Sequence, residues 1–259
     1  MLGKLLKYDF KSLAKTMMPS CIAAIGLAIL TRIMNMLADY SNLFAIPNGF
    51  ISVMFVLIVI VFPVLVCIYT IVKFYQNLIK DEGYLMHTLP VSKHQLVLSK
   101  LISAVFCMGI ACLISIAALF IGVYGIWFHN DIFQLIGEIW KQIDHAFFIL
   151  LVIISIVGIV SQQFMVYASI ALGQTQNNHK LGYAFVFGLG LYYLSQIFSL
   201  VLLVPLLFNP DYTNYMNGAN PPQNFMNMYL VAALILTIIL AVVYYIITVK
   251  VFEKKLNLD

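Results

Sequence analysis

Six long apolar stretches, separated by short polar segments, constrain this chain more than any other feature of its sequence. Each is long enough to cross a hydrocarbon core of roughly 30 Å as a helix that rises about 1.5 Å per residue. Hydrophobic residues make up 63% of the chain and charged residues only 9%, too few to cover a soluble protein of this size. The sequence predicts an all-α integral membrane protein, a single transmembrane domain over residues 1–259 with spans at 18–38, 50–74, 97–128, 146–172, 182–208 and 227–250.

The distribution of lysines predicts how the chain is oriented. Twelve of its 14 Lys and Arg residues fall on one side of the predicted spans, while Lys141 falls on the other and Arg32 lies within the first span. The positive-inside rule makes the lysine-rich side cytoplasmic and, with an even number of spans, places both termini there. The same bias accounts for the net charge of +4, so no nucleic-acid partner is indicated.

The N-terminal arm, residues 1–17, has two helical stripes. One carries Lys4, Lys7, Lys11 and Lys15. The other is apolar and consists of Leu2, Leu5, Leu6, Phe10, Leu13, Ala14 and Met17. This pattern predicts an amphipathic interfacial helix in the headgroup plane, with its lysines on anionic membrane lipids. The alternative is that the arm is only the basic cytoplasmic end of the first span.

The segment between the second and third spans, residues 73–100, is the longest on the cytoplasmic side. Gly83 and Pro90 interrupt the helix there, and Ser92 with Gln95 forms a capping box that starts a new one. Residues 82–88 remain as a short amphipathic turn, in a position that suits it to receive a push from a soluble partner.

Two segments are predicted on the outer side. Residues 131–144 repeat apolar side chains at helical spacing, which predicts an outer interfacial helix with Trp140 at headgroup depth. Residues 209–226 are rich in Asn, Pro, Gly and Tyr and predict an exposed loop.

Small residues recur every four positions in two spans and predict close helix packing, because hydrophobicity does not drive helices together in lipid. These ladders are Ser20, Ala24 and Ala28 in the first span, and Ser103, Cys107, Ala111 and Ser115 in the third. The four cysteines all lie in apolar runs and are interpreted as packing residues, not as disulfide or metal ligands.

No constellation in the sequence predicts an enzyme. No Asp or Glu falls inside a predicted span, and the zinc-protease, serine-hydrolase and P-loop motifs are absent. His87 and His94 are compatible with a metal pair, but solvated loop histidines are far commoner, since metal sites need three or four ligands. We therefore expect no catalytic residue, no metal and no cofactor.

Polar side chains inside the spans allow two interpretations. Those near the middle of the fourth and fifth spans either tie helices together or line a translocation path. The path candidates are Gln162, Gln163, Tyr192, Ser195, Gln196 and Ser199. Gln162 and Gln163 cannot both face one seam, because adjacent residues point about 100° apart on a helix. Arg32 either snorkels outward toward Asp39 or contacts substrate.

Three segments share a pattern with a known family. The chain opens with M-L-G-K-L-L-K-Y-D-F-K, has D-E-G-Y-L-M-H-T-L-P-V-S-K-H-Q-L-V-L-S-K between spans two and three, and has A-L-G-Q-T-Q-N-N-H-K-L-G after the fourth. With the arm and six spans, these segments resemble permease subunits of type-2 ABC exporters, common in Gram-positive bacteria. The resemblance covers essentially the whole chain. It implies the type-2 ABC exporter permease fold and a place in the bacterial cell membrane.

The resemblance also implies a role for each cytoplasmic element. The turn between spans two and three would be the coupling helix, which docks in a cleft of a cytoplasmic ABC ATPase subunit, and the arm would be the connecting helix. The coupling residues so assigned are Asp81, Glu82, Gly83, Tyr84, Leu85, Met86, His87 and Thr88. A second copy or a sister permease would complete a dimer. Many members place re-entrant helices between the last two spans, and residues 209–226 are too polar for that.

Together these features predict a transport subunit that forms the translocation path of an ATP-driven exporter, with ATP hydrolysis on a separate subunit. The alternative is a non-transporting membrane sensor or immunity protein that binds antimicrobial peptides, since it would have the same spans. No charged lining is evident, so peptides, lipid-linked molecules and hydrophobic drugs all stay open as substrates.

Overall fold

Long helices account for almost all of the described chain. The computed structural model describes residues 2–78, 92–123, 137–138, 140–141, 144–176, 178–208 and 223–254. Their helices are α1 (Leu2–Tyr40), α2 (Ala45–Leu78), α3 (Lys93–Val123), α4 (His145–Gly173), α5 (Lys180–Leu207) and α6 (Gln223–Lys254), with a 3-10 turn at Asn42–Phe44. All six α-helices are long and apolar enough to cross a membrane. The prediction of an all-helical, multi-pass membrane protein is confirmed at the level of helix number, length and composition.

Helix α1 joins two elements that the sequence predicts as separate. Its 39 residues run without interruption through the arm at 1–17 and the first span at 18–38. The physical reason is one buried face that continues across the expected boundary and keeps the helical period. This face consists of Asp9, Leu13, Met17, Ala24, Ala28, Thr31 and Asn35. The arm and the first span are thus one continuous helix, which agrees with the alternative that the arm is the basic end of that span; the orientation of the arm to the headgroup plane stays a prediction.

The first compact unit comprises residues 1–76 and 98–141, and so contains α1, most of α2 and most of α3. Its main core brings together Leu13, Met17 and Ala24 of α1, Phe62 and Val66 of α2, and Cys107 and Ala111 of α3. A second cluster is formed by Ala28, Phe55, Val59 and Ala118. The packing role predicted for the two small-residue ladders is confirmed, because all their members except the partly buried Ser20 are buried. The apolar side chains of Leu13 and Met17 thus pack on protein instead of lying in lipid.

The second compact unit comprises residues 77–97 and 142–259, with α4 packed against both α5 and α6. The end of α4 closely approaches the start of α5. A Cβ atom added at Gly173 would lie 2.6 Å from the Cβ of Ala184, and one added at Gly188 would lie 3.5 Å from the Cβ of Ser169. Each helix thus presents two small residues four positions apart, a pairing that the ladders in the first and third spans did not predict.

The start of α3 follows the predicted capping box. The backbone N–H of Gln95 donates to Ser92 Oγ at 3.3 Å, and that of Leu96 donates to the Ser92 carbonyl at 3.2 Å. Of the predicted outer helix 131–144, residues 137, 138, 140 and 141 are helical, Asp144 caps α4, and the rest lie outside the described residues. Of the predicted loop 209–226, residues 209–222 lie outside them too, and α6 begins at Gln223.

The close approach at Gly173 is testable by one substitution. Gly173→Ala is expected to destabilise the protein by about 1–3 kcal/mol, because the new methyl group meets the backbone and Cβ of Ala184. Gly158→Ala is the matched control in the same helix, since nothing lies within 4 Å of a Cβ atom there. Denaturant unfolding in detergent micelles measures both, and equal stability of the two variants would contradict the packing described here.

Candidate functional site

The predicted coupling residues fall between two described helix ends. All eight, 81–88, lie outside the described residues, as does His87 of the suggested metal pair. On one side α2 ends with the buried Asn77 and Leu78, and on the other α3 begins with the buried Leu96 and Val97. Both ends belong to the second compact unit, together with α4, α5 and α6. The helix ends that flank the coupling segment are therefore held in the same body as the last three spans.

His94, on the first turn of α3, links that helix to the end of α6. Its Nδ1 lies 2.6 Å from the hydroxyl of Tyr245, and its Nε2 lies 3.7 Å from Oε1 of Glu253. One tautomer satisfies both contacts, with the tyrosine hydroxyl donating to Nδ1 and the Nε2 proton facing the carboxylate. The His94 and Glu253 side chains are 53% and 44% exposed, so their attraction is weak and screened by salt.

Tyr245 extends this link to a third helix. Its ring centroid lies 5.9 Å from that of His94 on α3 and 5.3 Å from that of Phe164 on α4. Tyr245, near the end of α6, therefore contacts both the start of α3 and the second half of α4. We call His94, Phe164, Tyr245 and Glu253 the junction. The sequence contains no local signal for it, because His94 and Tyr245 are 151 positions apart.

The junction connects three helix segments through polar and aromatic contacts. Among the described residues, no group of three or more His, Cys, Asp or Glu side chains could hold a metal ion. What the four side chains provide is a hydrogen bond, a weak contact between an imidazole and a carboxylate, and two ring contacts. Such contacts fix the relative position of three helix segments.

A buried ion pair in the first compact unit ties α1 to α3. Lys100 Nζ donates to Asp9 Oδ1, and both side chains are only 6% exposed. The second carboxylate oxygen of Asp9 is buried without a hydrogen-bond partner among the described residues. The pairing of Asp9 with Lys100 was not predicted from the sequence, in which Lys100 is one of the lysines expected on the cytoplasmic side. The available signal was an acidic residue on the apolar stripe of α1, between Leu6 and Leu13.

Loss of one partner of this pair is expected to be costly. Asp9→Asn removes the carboxylate charge that faces the buried Lys100 ammonium, which costs about 3–5 kcal/mol of unfolding free energy. Replacing both residues, as Asp9→Leu with Lys100→Met, is expected to recover most of that loss. Denaturant unfolding in detergent micelles provides the measurement.

The control for the ion pair is Asp39→Asn, at the exposed end of the same helix. That substitution is expected to change stability by no more than about 0.5 kcal/mol. If Asp9→Asn were as mild as Asp39→Asn, or if the double replacement were as damaging as the single one, the pair would not orient α1.

The polar residues predicted near mid-membrane divide into buried and exposed groups. Gln163 is buried and Gln162 is exposed, as their 100° separation predicts. On α5, Ser195 Oγ donates to the Tyr192 carbonyl at 2.7 Å and Ser199 Oγ to the Ser195 carbonyl at 3.1 Å. Both serine hydroxyls thus bond to their own helix, and Ser195 also has a hydrogen-bond contact with Tyr244 on α6. Tyr192, Gln196 and Ser199 lie exposed on one face of α5, and their role as a path stays a prediction.

Other polar groups lie near the helix ends opposite the junction. Asp144 Oδ1 accepts from the Ala146 backbone N–H, and its Oδ2 accepts from Asn227 Nδ2, each at 3.0 Å. These bonds, that from Asn227 foremost, stabilise the carboxylate and lower the pKa of Asp144. They join the starts of α4 and α6. Arg32 is partly buried on α1, and its predicted contact with Asp39 stays a prediction.

This chain was compared with family models, curated proteins and solved structures. No family model matches it. No curated protein and no solved structure matches it either.

Proposed function

We propose that this chain is the permease subunit of an ATP-driven exporter of the type-2 ABC class. In this proposal residues 81–88 dock on a separate cytoplasmic ATPase subunit, which hydrolyses ATP. Two permeases, identical or sister chains, form the path in the bacterial cell membrane. The observation that carries the proposal is that the helix ends flanking residues 79–91 belong to the same compact unit as α4, α5 and α6.

The proposed mechanism follows from that arrangement. A push on the coupling segment displaces the start of α3, and the junction passes the displacement to α6 through Tyr245 and to α4 through Phe164. Helices α2 and α3 also continue into the first compact unit. In this proposal, the same push therefore acts on both compact units. Coupling of this kind requires an element with two arrangements that both the ATPase and the path can bias.

A second observation supports a path formed by two chains. Tyr192, Gln196 and Ser199 lie exposed on one face of α5. The most apolar 18 residues of α5 include no buried residue. Polar side chains at membrane depth are costly in lipid and normally face protein or a water-filled cavity. We therefore assign this face to the interface and path between two permeases.

Copurification tests the partnership. Tagged wild-type protein from native membranes is expected to bring down an ABC ATPase, identified by mass spectrometry. The variant with alanine at Glu82, Gly83 and Tyr84 is expected to lose most of it, because these residues form the proposed docking surface. Alanine at Tyr212, Thr213 and Asn214, in the predicted outer loop, is the matched control and is expected to retain it. A wild-type protein that copurifies with no ATPase, or with a histidine kinase instead, would favour the sensor or immunity function.

The junction makes a separate prediction about coupling. Tyr245→Phe removes the hydroxyl that lies 2.6 Å from His94 but keeps the ring against Phe164. The ATPase is expected to remain bound, while its stimulation by the permease in proteoliposomes falls about fivefold, the equivalent of one hydrogen bond of ~1 kcal/mol. Tyr40→Phe, at a tyrosine that is 89% exposed, is the control. Full stimulation in Tyr245→Phe would rule out transmission through this hydroxyl.

A further inference from the structure

The face of α1 opposite its buried side carries four exposed lysines. Lys4, Lys7, Lys11 and Lys15 recur at helical spacing, and all are exposed. At 100° per residue, their mean direction lies about 165° from that of the buried Asp9, Leu13 and Met17. We call these four residues the lysine face. The Asp9–Lys100 ion pair and the packing of Leu13 and Met17 fix the rotation of α1, so this face points away from the first compact unit.

Among the described residues, no acidic side chain balances the charges of the lysine face. Lys7, Lys11 and Lys15 are four residues apart, a spacing at which like charges repel on a helix. Asp9 is the only acidic residue in the first 38 positions of the sequence, and it is turned inward to Lys100. Among the residues that the structure describes, no carboxylate lies within salt-bridge distance of the four lysines. As far as the described residues go, the lysine face is therefore open to the anionic groups of another molecule.

The same face of α1 becomes apolar directly after Lys15. Met18, Ile22, Ile25 and Ile29 follow at helical spacing, in the same direction as the lysines, and are 62%, 66%, 39% and 47% exposed. At a rise of 1.5 Å per residue, Lys4 to Lys15 give one side of the helix about 16 Å of positive charge. An uninterrupted apolar strip follows on the same side. This sequence of surfaces matches a phospholipid, whose phosphate is followed by its acyl chains. An acidic soluble protein would match only the charged part.

The contacts between α1 and α3 place the lysine face at the end of the helix bundle. Asp9 pairs with Lys100, the Phe10 and Phe106 ring centroids lie 5.1 Å apart, and Asn35 donates to the Gly122 carbonyl at 3.4 Å. Residues 9–35 of α1 therefore run beside residues 100–122 of α3. Helical side chains lean toward the N-terminus and lysines snorkel, so Lys11 and Lys15 extend toward the same end as Lys4 and Lys7.

We propose that this side of α1 binds an anionic phospholipid, with the headgroup phosphate on the lysine face and an acyl chain along Met18, Ile22, Ile25 and Ile29. Each lysine near an anionic membrane surface raises lipid occupancy about fivefold, and salt screens the effect. Tyr8, which is 72% exposed next to Lys4 and Lys11, contributes an aromatic side chain at headgroup depth. The site requires no ATPase and does not depend on the transport proposal.

Lysine footprinting on the purified full-length chain tests this site. The chain is placed in nanodiscs of phosphatidylcholine alone or with a quarter of the lipid replaced by phosphatidylglycerol, and amine acylation is followed by mass spectrometry. Acylation of the lysine face is expected to slow about fivefold with phosphatidylglycerol and to recover in high salt. Lys141, which is exposed at another position in the chain, is the internal control and is expected to change little.

Two further experiments identify the ligand. Lys→Gln at all four positions is expected to abolish the enrichment of phosphatidylglycerol over phosphatidylcholine among retained lipids, whereas Lys→Arg at the same positions is expected to preserve it. Soluble glycerophosphate added to phosphatidylcholine nanodiscs is expected to give no protection, because it has no acyl chain for the apolar strip. Equal slowing at Lys141, unchanged enrichment in the glutamine variant, or protection by glycerophosphate alone would each overturn the proposal.

Discussion

Helices in a bilayer gain no free energy from leaving water when they pair, so this fold depends on how closely their backbones can approach. Small side chains provide that approach in both compact units. In the first, Ala24, Cys107 and Ala111 leave room for Phe62 and Val66 to fill the space between three helices. In the second, Gly173 meets Ala184 at a distance that admits no further atom. The larger apolar side chains that point outward face lipid and add little to pairing.

Helix α1 has three distinct surfaces because of this packing. Its buried face contacts α2 and α3, and a charged pair on that face, Asp9 with Lys100, specifies one rotation of the helix. A buried pair adds little net stability compared with apolar residues, but breaking it is costly, which makes it a device for specifying one arrangement. The lysine face and the apolar strip then point outward together. The ion pair and the packing of Leu13 and Met17 together thus determine which sides α1 presents to its surroundings.

The contacts around the proposed coupling segment differ from those in the core of the first compact unit. The core clusters of the first unit are buried and close-packed, whereas the His94–Glu253 pair of the junction is half exposed. Exposed contacts between polar side chains contribute less than about 1 kcal/mol even when both groups are charged, so such a link can shift without unfolding the helices that it joins. That property suits the position of the junction between the start of α3 and the last three spans. It supports a role in transmitting movement and not in holding the fold together.

The sequence determined the features that depend on neighbours along the chain: six apolar helices, the cap at Ser92 and the small-residue ladders. Helical period and residue size are local properties, so they can be read without knowing which helices meet. The tertiary structure decided the rest. Asp9 and Lys100 are 91 positions apart, and His94 and Tyr245 are 151 apart. Which polar side chains meet depends on the register and rotation of one packed helix against another, and no local pattern encodes either. The packed structure also joined the N-terminal arm to the first span, one of the two alternatives that the sequence left open, since one continuous buried face favours one continuous helix.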